Sequence, residues 1–82
     1  MAKVFLSAQA QRDSRKIPQK DRLKIRKKLR LLEGSPYSGK KLGGKLEGYY
    51  SLKIWPYRAI YLIKENKKVW VVYLLHRQEA YK

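Results

Sequence analysis

The sequence predicts an α+β domain: two N-terminal helices packed on a small, mainly antiparallel sheet. Three observations predict it. The last third of the chain, from Tyr49 to Tyr81, holds three runs rich in β-branched, aliphatic and aromatic residues with two short breaks between them, the pattern of a three-stranded antiparallel meander. Ahead of it, Ile25, Leu29 and Leu32 recur at helical spacing. Basic and polar residues (Lys53, Arg58, His76, Arg77) interrupt the C-terminal strands, which predicts a sheet with one face in water or turned to a charged ligand.

In chain order, Lys3 to Leu6 reads as a short edge strand. Ser7 offers an N-cap hydroxyl to a helix running to about Lys16, with Ala8, Ala10 and Ile17 as its buried positions. Pro18 separates this helix from a second, about Gln19 to Glu33, because proline fits the first turn of a helix and not its interior. Leu23 and Leu31 flank the apolar face of the second helix, Gly34 is expected as a left-handed C-cap, and Pro36 blocks continuation. Its other face carries Arg22, Lys24, Arg26, Lys27, Lys28 and Arg30. Lysines four apart repel each other and cost helix stability, so the run reads either as a solvated face or as a docking surface.

Ser35 to Gly48 is expected as a glycine- and lysine-rich loop able to approach a phosphate backbone, with Lys40, Lys41 and Lys45 in it and no phosphate-loop signature. In the strands that follow, Tyr50, Leu52 and Ile54 point one way and Tyr49, Ser51, Lys53 and Trp55 the other. Trp55-Pro56 reads as a turn. In Tyr57 to Lys64, Arg58, Ile60 and Leu62 share a face. Glu65-Asn66-Lys67 is a turn with Asn66 suited to positive φ. Val69 to Leu75 is nearly all apolar and is expected to be central and covered on both faces, with Trp70 and Tyr73 in the core.

The 82 residues are expected to form a single domain, residues 1–82, with a marginal core. Cysteine is absent, so neither a disulfide framework nor a thiolate metal site is available. No run reaches membrane-spanning length and the start lacks a signal-like apolar stretch, so the expected location is cytoplasmic, without a membrane partner. Lysine and arginine total 21 against 6 acids, a formal charge of +15. Such self-repulsion opposes compaction, and its usual counterpart is a polyanion. Lys24, Lys27, Lys28, Lys40, Lys41 and Lys45 are the expected RNA-binding residues.

The chemistry follows by elimination. One histidine and scattered acids (Asp13, Asp21, Glu33, Glu47, Glu65, Glu79) make neither a multi-histidine metal site nor a grouped-carboxylate nuclease. No serine–histidine–aspartate spacing or reactive cysteine stands in their place. Lysine, arginine, histidine and tyrosine suffice for one reaction on RNA, whose 2′-hydroxyl is its own nucleophile. The protein need only accept that proton, stabilise charge on phosphorus and protonate the leaving 5′-oxygen, with no cofactor and no metal.

The runs LEGYYSLKIWPYRAIYLI and VWVVYLLHRQEAY, with YRAIY around Arg58 and the ending His76-Arg77-x-x-x-Tyr81, resemble the RelE-type toxins of bacterial toxin–antitoxin systems, within the RelE/ParE superfamily. The resemblance covers nearly the whole chain. It implies a ribosome-dependent endoribonuclease (an mRNA interferase) that cuts mRNA in the ribosomal A site without metal, and neutralisation by a cognate antitoxin protein. By position it implies proton abstraction for Lys53, phosphate stabilisation for Arg58, leaving-group protonation for Arg77 and a place near substrate for Tyr81. His76 is an alternative acid, since arginine rarely gives up its proton. The sequence departs from the family at Ser51, where some members carry lysine, and in having no glutamate base in the loop before the strands. Two other functions compete: a ParE-like toxin that inhibits DNA gyrase without cutting, and a non-catalytic basic RNA- or ribosome-binding protein.

Overall fold

A computed structural model describes residues 2–65 and 67–77. The order of elements is β1 (Lys3–Leu6), α1 (Ala8–Arg15), α2 (Gln19–Gly34), β2 (Lys40–Lys41), β3 (Tyr49–Ile54), β4 (Tyr57–Lys64) and β5 (Lys68–His76), with a 3-10 turn at Gly44–Leu46. The five strands form one mixed sheet in the order β1-β5-β4-β3-β2. Strands β2 to β5 pair antiparallel, and β1 runs parallel to β5, with Val4 beside Val69 and Leu6 beside Val71. The α+β class is therefore as the pattern predicts, and β1 does lie at the sheet edge.

Local chemistry accounts for most element ends. Ser7 caps α1: its Oγ accepts from the Ala10 amide at 3.0 Å and donates to the Val72 carbonyl at 3.0 Å, so one hydroxyl starts the helix and fastens it to β5. Pro18 stands at the N-cap of α2. Both helices cover one face of the sheet. Ala10, Ile17, Ile25, Leu29 and Leu32 pack there against Tyr50, Ile54, Tyr57, Ala59, Tyr61, Val69, Val71 and Leu74. In β3 and β4 these residues alternate, which puts them on the helix side; in β5 a register shift opposite Ile60 and Tyr61 brings Val71 and Leu74, three apart, to that same side.

Four expectations need correction. Ser35–Gly48 is not a plain loop: Lys40 and Lys41 pair with Ser51 and Tyr50 as strand β2, and a 3-10 turn follows. Gly34 belongs to the last turn of α2, and the cap is Ser35, with negative φ. Ala8 is exposed, and of the residues expected to anchor α1 only Ala10 and Ile17 are buried. Strand β5 is internal to the sheet but not covered on both faces, since Tyr73 is 45% exposed and is not a core residue. Trp70 is half-buried, stacked on Phe5 with ring centroids 4.8 Å apart. In the β4–β5 turn the positive φ that the structure describes, 56°, falls on Glu65; Asn66 lies outside the described residues.

Gly39 is required by a close approach. Its amide donates to the Tyr61 hydroxyl at 2.9 Å, and that hydroxyl donates to the Pro36 carbonyl at 2.9 Å. A Cβ at Gly39 would lie 2.5 Å from the same hydroxyl. Burial raises the Tyr61 phenol above its usual value, partly opposed by the Gly39 hydrogen bond.

Candidate functional site

The helix-free face of the sheet carries the charge. Lys53 in β3 lies directly opposite Arg58 in β4, and Arg58 directly opposite Leu75 in β5. Two cations in facing positions cost sheet stability unless a shared anion sits between them. The β3–β4 connection is Trp55-Pro56, with a cis peptide bond. Trp55 is 51% exposed at this tip. The Lys53 ammonium lies 5.5 Å and the Arg77 guanidinium 5.4 Å from its ring centroid, within cation–π range. The Arg77 amide donates to the Pro56 carbonyl at 2.8 Å, fixing the end of β5 against the same tip. Lys53 and Arg77 thus meet around one exposed indole, with Arg58 across the hairpin from Lys53.

His76 is not with them. It pairs with Tyr57 across β4 and β5, and its ring meets the Tyr57 ring edge-on at 5.4 Å. This is the helix side, in a cleft of about 200 Å³ with Asp13, Lys16 and Ile17. Strand β5 ends at His76, and Arg77 stands one residue beyond it. Tyr81 lies outside the described residues.

Helix α2 holds the tip from the other side. Lys24 Nζ donates to the Trp55 carbonyl, and the Tyr57 hydroxyl donates to Asp21 Oδ2 at 3.0 Å. Burial, then the Asp21 carboxylate, raises the Tyr57 phenol above its usual value. Nothing in the local sequence pattern marks Asp21 as a site residue or joins Lys24, expected only to bind RNA, to the hairpin tip; the pairing of α2 with that tip is tertiary.

The six lysines expected to bind RNA are all exposed, in two groups. Lys24, Lys27 and Lys28 line a shallow groove on α2 beside Leu23 and Leu31, which are 51% and 60% exposed. Lys40, Lys41 and Lys45 sit in and after β2, at the opposite sheet edge from β1. A larger groove of about 510 Å³ runs between α2 and β1, with Val4, Leu6 and Leu29 in its lining and Arg22, Arg26 and Arg30 beside them. Among the described residues no three of His, Asp and Glu come together as a metal site, and no helix is long and apolar enough to cross a membrane.

Among curated protein sequences none matches the chain. Solved structures do. The fold is similar to that in the RelBE2 toxin–antitoxin complex from Mycobacterium tuberculosis, with TM-score 0.86 and 26% identity over 93% of this chain and 98% of that one. It is also similar to a chain of the intact E. coli RelBE toxin–antitoxin complex (TM-score 0.78, 22% identity, 93% and 96% covered) and of the chromosomal ParDE system from P. aeruginosa (0.76, 18%, 93% and 96%). At those lower identities the likeness is one of fold. Residues 4–81 match the family described as the ParE toxin of type II toxin–antitoxin systems. With the family matched over residues 4–81 and the fold shared over 93% of the chain, the chain belongs to the ParE toxin family of type II toxin–antitoxin systems, within the RelE/ParE superfamily.

Proposed function

We propose that this toxin is a ribosome-dependent endoribonuclease that cleaves mRNA in the A site by attack of the 2′-hydroxyl, without metal or cofactor. The observation that carries this reading is that Lys53 faces Arg58 across β3 and β4 while Lys53 and Arg77 both approach the Trp55 ring. In that geometry Lys53 and Arg58 reach the same phosphate. Lys53, as the uncharged amine, takes the 2′-hydroxyl proton as the new bond to phosphorus forms and becomes an ammonium beside that phosphate. Arg58 holds the non-bridging oxygens as their charge grows, the largest single service such a site provides. Arg77 hydrogen-bonds the leaving 5′-oxygen, which takes up a proton from water as its bond to phosphorus breaks. His76, on the helix side, is left a positioning role under β5. Lys24, Lys27, Lys28, Lys40, Lys41 and Lys45 serve ribosomal and messenger phosphates.

The test is to incubate the purified protein with translating ribosomes in excess chelator and map the mRNA ends. Cuts ending in 2′,3′-cyclic phosphate, abolished by 2′-methoxy at the cut site, are expected. Full cleavage of the 2′-methoxy message would show that water is the nucleophile. The match to the ParE family over residues 4–81 favours one other reading, a toxin that inhibits DNA gyrase and cuts nothing. Intact mRNA together with arrested gyrase supercoiling would establish it. Intact mRNA with ribosome binding and active gyrase would leave a plain RNA-binding protein.

The relatives seen in toxin–antitoxin complexes support a cognate antitoxin as partner. The groove between α2 and β1 suits an amphipathic segment with acids, since its apolar lining is bordered by Arg22, Arg26 and Arg30.

A further inference from the structure

Strand register orders the open face of the sheet into rows about 7 Å apart, two residues along each strand. The first row is Lys53, Arg58 and Leu75. The next is Ser51, Ile60 and Tyr73, with Lys40 beside Ser51 in β2. The third is Tyr49, Leu62, Trp70 and Phe5. The fourth is Lys64, Lys68 and Lys3. Cations therefore close both ends of the face, with aromatic rings between them.

The rings stand open to different degrees. Tyr73 is 45% exposed, while Tyr49 and Trp70 are half-buried. Ile60 and Ser51 are buried in the row between, and Leu62 and Leu75 are half-buried, so the exposed side chains of the face are Tyr73 and the lysines. All three lysines of the far row are exposed. Lys64 lies 5.8 Å from the Trp70 ring centroid, and Lys68 has one exposed partner, Glu65, at 3.4 Å. A solvent-exposed pair of this kind is weak enough for a phosphate to replace.

We propose that this face is a binding path for single-stranded RNA, running from the Lys53–Arg58 site to a distal phosphate anchor made by Lys3, Lys64 and Lys68, with bases stacked on Tyr73 and the Tyr49–Trp70 row. From Arg58 to Lys64 the path is about 20 Å long. Alternating cations and aromatic faces match a chain of alternating phosphates and bases, and every base has a face to stack. An acidic peptide would use the cations and leave the rings without a partner. The proposal rests on the nuclease reading for its direction, since one end is the cleavage site, but its test reads binding and not cleavage.

The probe is a single-stranded RNA of roughly ten nucleotides carrying 2′-methoxy groups throughout, beside one of roughly three. Binding is followed by fluorescence anisotropy across a salt series. Replacing Lys3, Lys64 and Lys68 together by Gln is expected to weaken the longer RNA on the order of tenfold and to flatten the salt slope by about 2, at ~0.7 per lost contact. The short RNA should be little affected, and the triple Lys→Arg variant should bind as the parent does. Tyr73→Ser should weaken the longer RNA roughly fivefold, and Tyr73→Phe should restore it. An unchanged slope and affinity in the triple Gln variant overturns the path. So does equal weakening of both RNAs, or displacement of the RNA by polyglutamate at matched charge. Binding that follows this pattern while ribosome-bound mRNA stays intact would sink the nuclease reading and leave the path standing; mapped cleavage with a flat response here would do the reverse.

Discussion

The Tyr57 hydroxyl donates to Asp21 Oδ2 at 3.0 Å, so the residue beside Arg58 in β4 is tied to the first turn of α2. A hydrogen bond to a charged acceptor is worth more than a neutral one. Tyr57→Phe is expected to lower stability by about 1–2 kcal/mol, measured by urea unfolding. The pH dependence has a definite direction. The Tyr57 and Tyr61 phenols are both raised above 10.0 in the folded chain. Below that value folded and unfolded states both keep the proton, and the contribution is fully present. As pH rises past it, the unfolded state loses its protons first, and the contribution is lost as pH passes the raised folded values. Replacing both tyrosines by Phe should therefore make the alkaline fall in stability shallower.

Gly39→Ala places a methyl 2.5 Å from the Tyr61 hydroxyl and 3.0 Å from the Ser51 carbonyl oxygen. The expected cost is about 1–3 kcal/mol, as for other overpacked sites. Tyr61→Phe removes the hydroxyl that the methyl meets. A double-mutant cycle by thermal unfolding should show the two changes to be non-additive.

Arg58→Ala and Arg77→Ala are each expected to slow the chemical step by ~10²–10³, with ribosome affinity falling much less. Single-turnover cleavage on saturated ribosomes reads this directly. His76→Ala should lower melting temperature more than it lowers rate, because the ring packs on Tyr57 on the helix side. A rate loss in His76→Ala equal to that in Arg77→Ala would return the histidine to the chemistry.

How far this site was legible can be argued from its members. Arg58 and Lys53 were assigned to the correct faces by alternation alone, because β3 and β4 are regular and joined by a tight turn. The helix α2 was equally plain, since Ile25, Leu29 and Leu32 repeat at its period and are buried. His76 and Arg77 part where β5 ends, an end that the apolar pattern of the strand does not mark. Lys40 and Lys41 became a strand only through pairing with Ser51 and Tyr50, a tertiary event that a glycine- and lysine-rich composition hides. Tyr73 looked like core because β5 is apolar along its length; only the one-sided helix layer leaves it in water.

Lys24 has two roles that a triple replacement of Lys24, Lys27 and Lys28 would confuse. Lys27→Ala with Lys28→Ala should weaken ribosome binding and reduce its salt slope by about 1.4–1.8, at ~0.7–0.9 per contact. Lys24→Met, which loses the bond to the Trp55 carbonyl, should also slow cleavage on saturated ribosomes by loosening the hairpin tip. An unchanged rate in Lys24→Met would assign that lysine to docking alone.

The parallel pairing of β1 with β5 has a consequence for synthesis. The first strand of the chain, Lys3–Leu6, finds its partner only in Lys68–Val71. Until those residues exist, β1 has no strand beside it, Ser7 has no Val72 carbonyl to reach, and the core lacks Val69, Val71 and Leu74. Contacts so distant along the chain form late. The toxin's fold is therefore completed only once Lys68–Val71 have been made. An antitoxin made beforehand meets it then as an assembled surface, while one made afterwards must catch up with a molecule already at work.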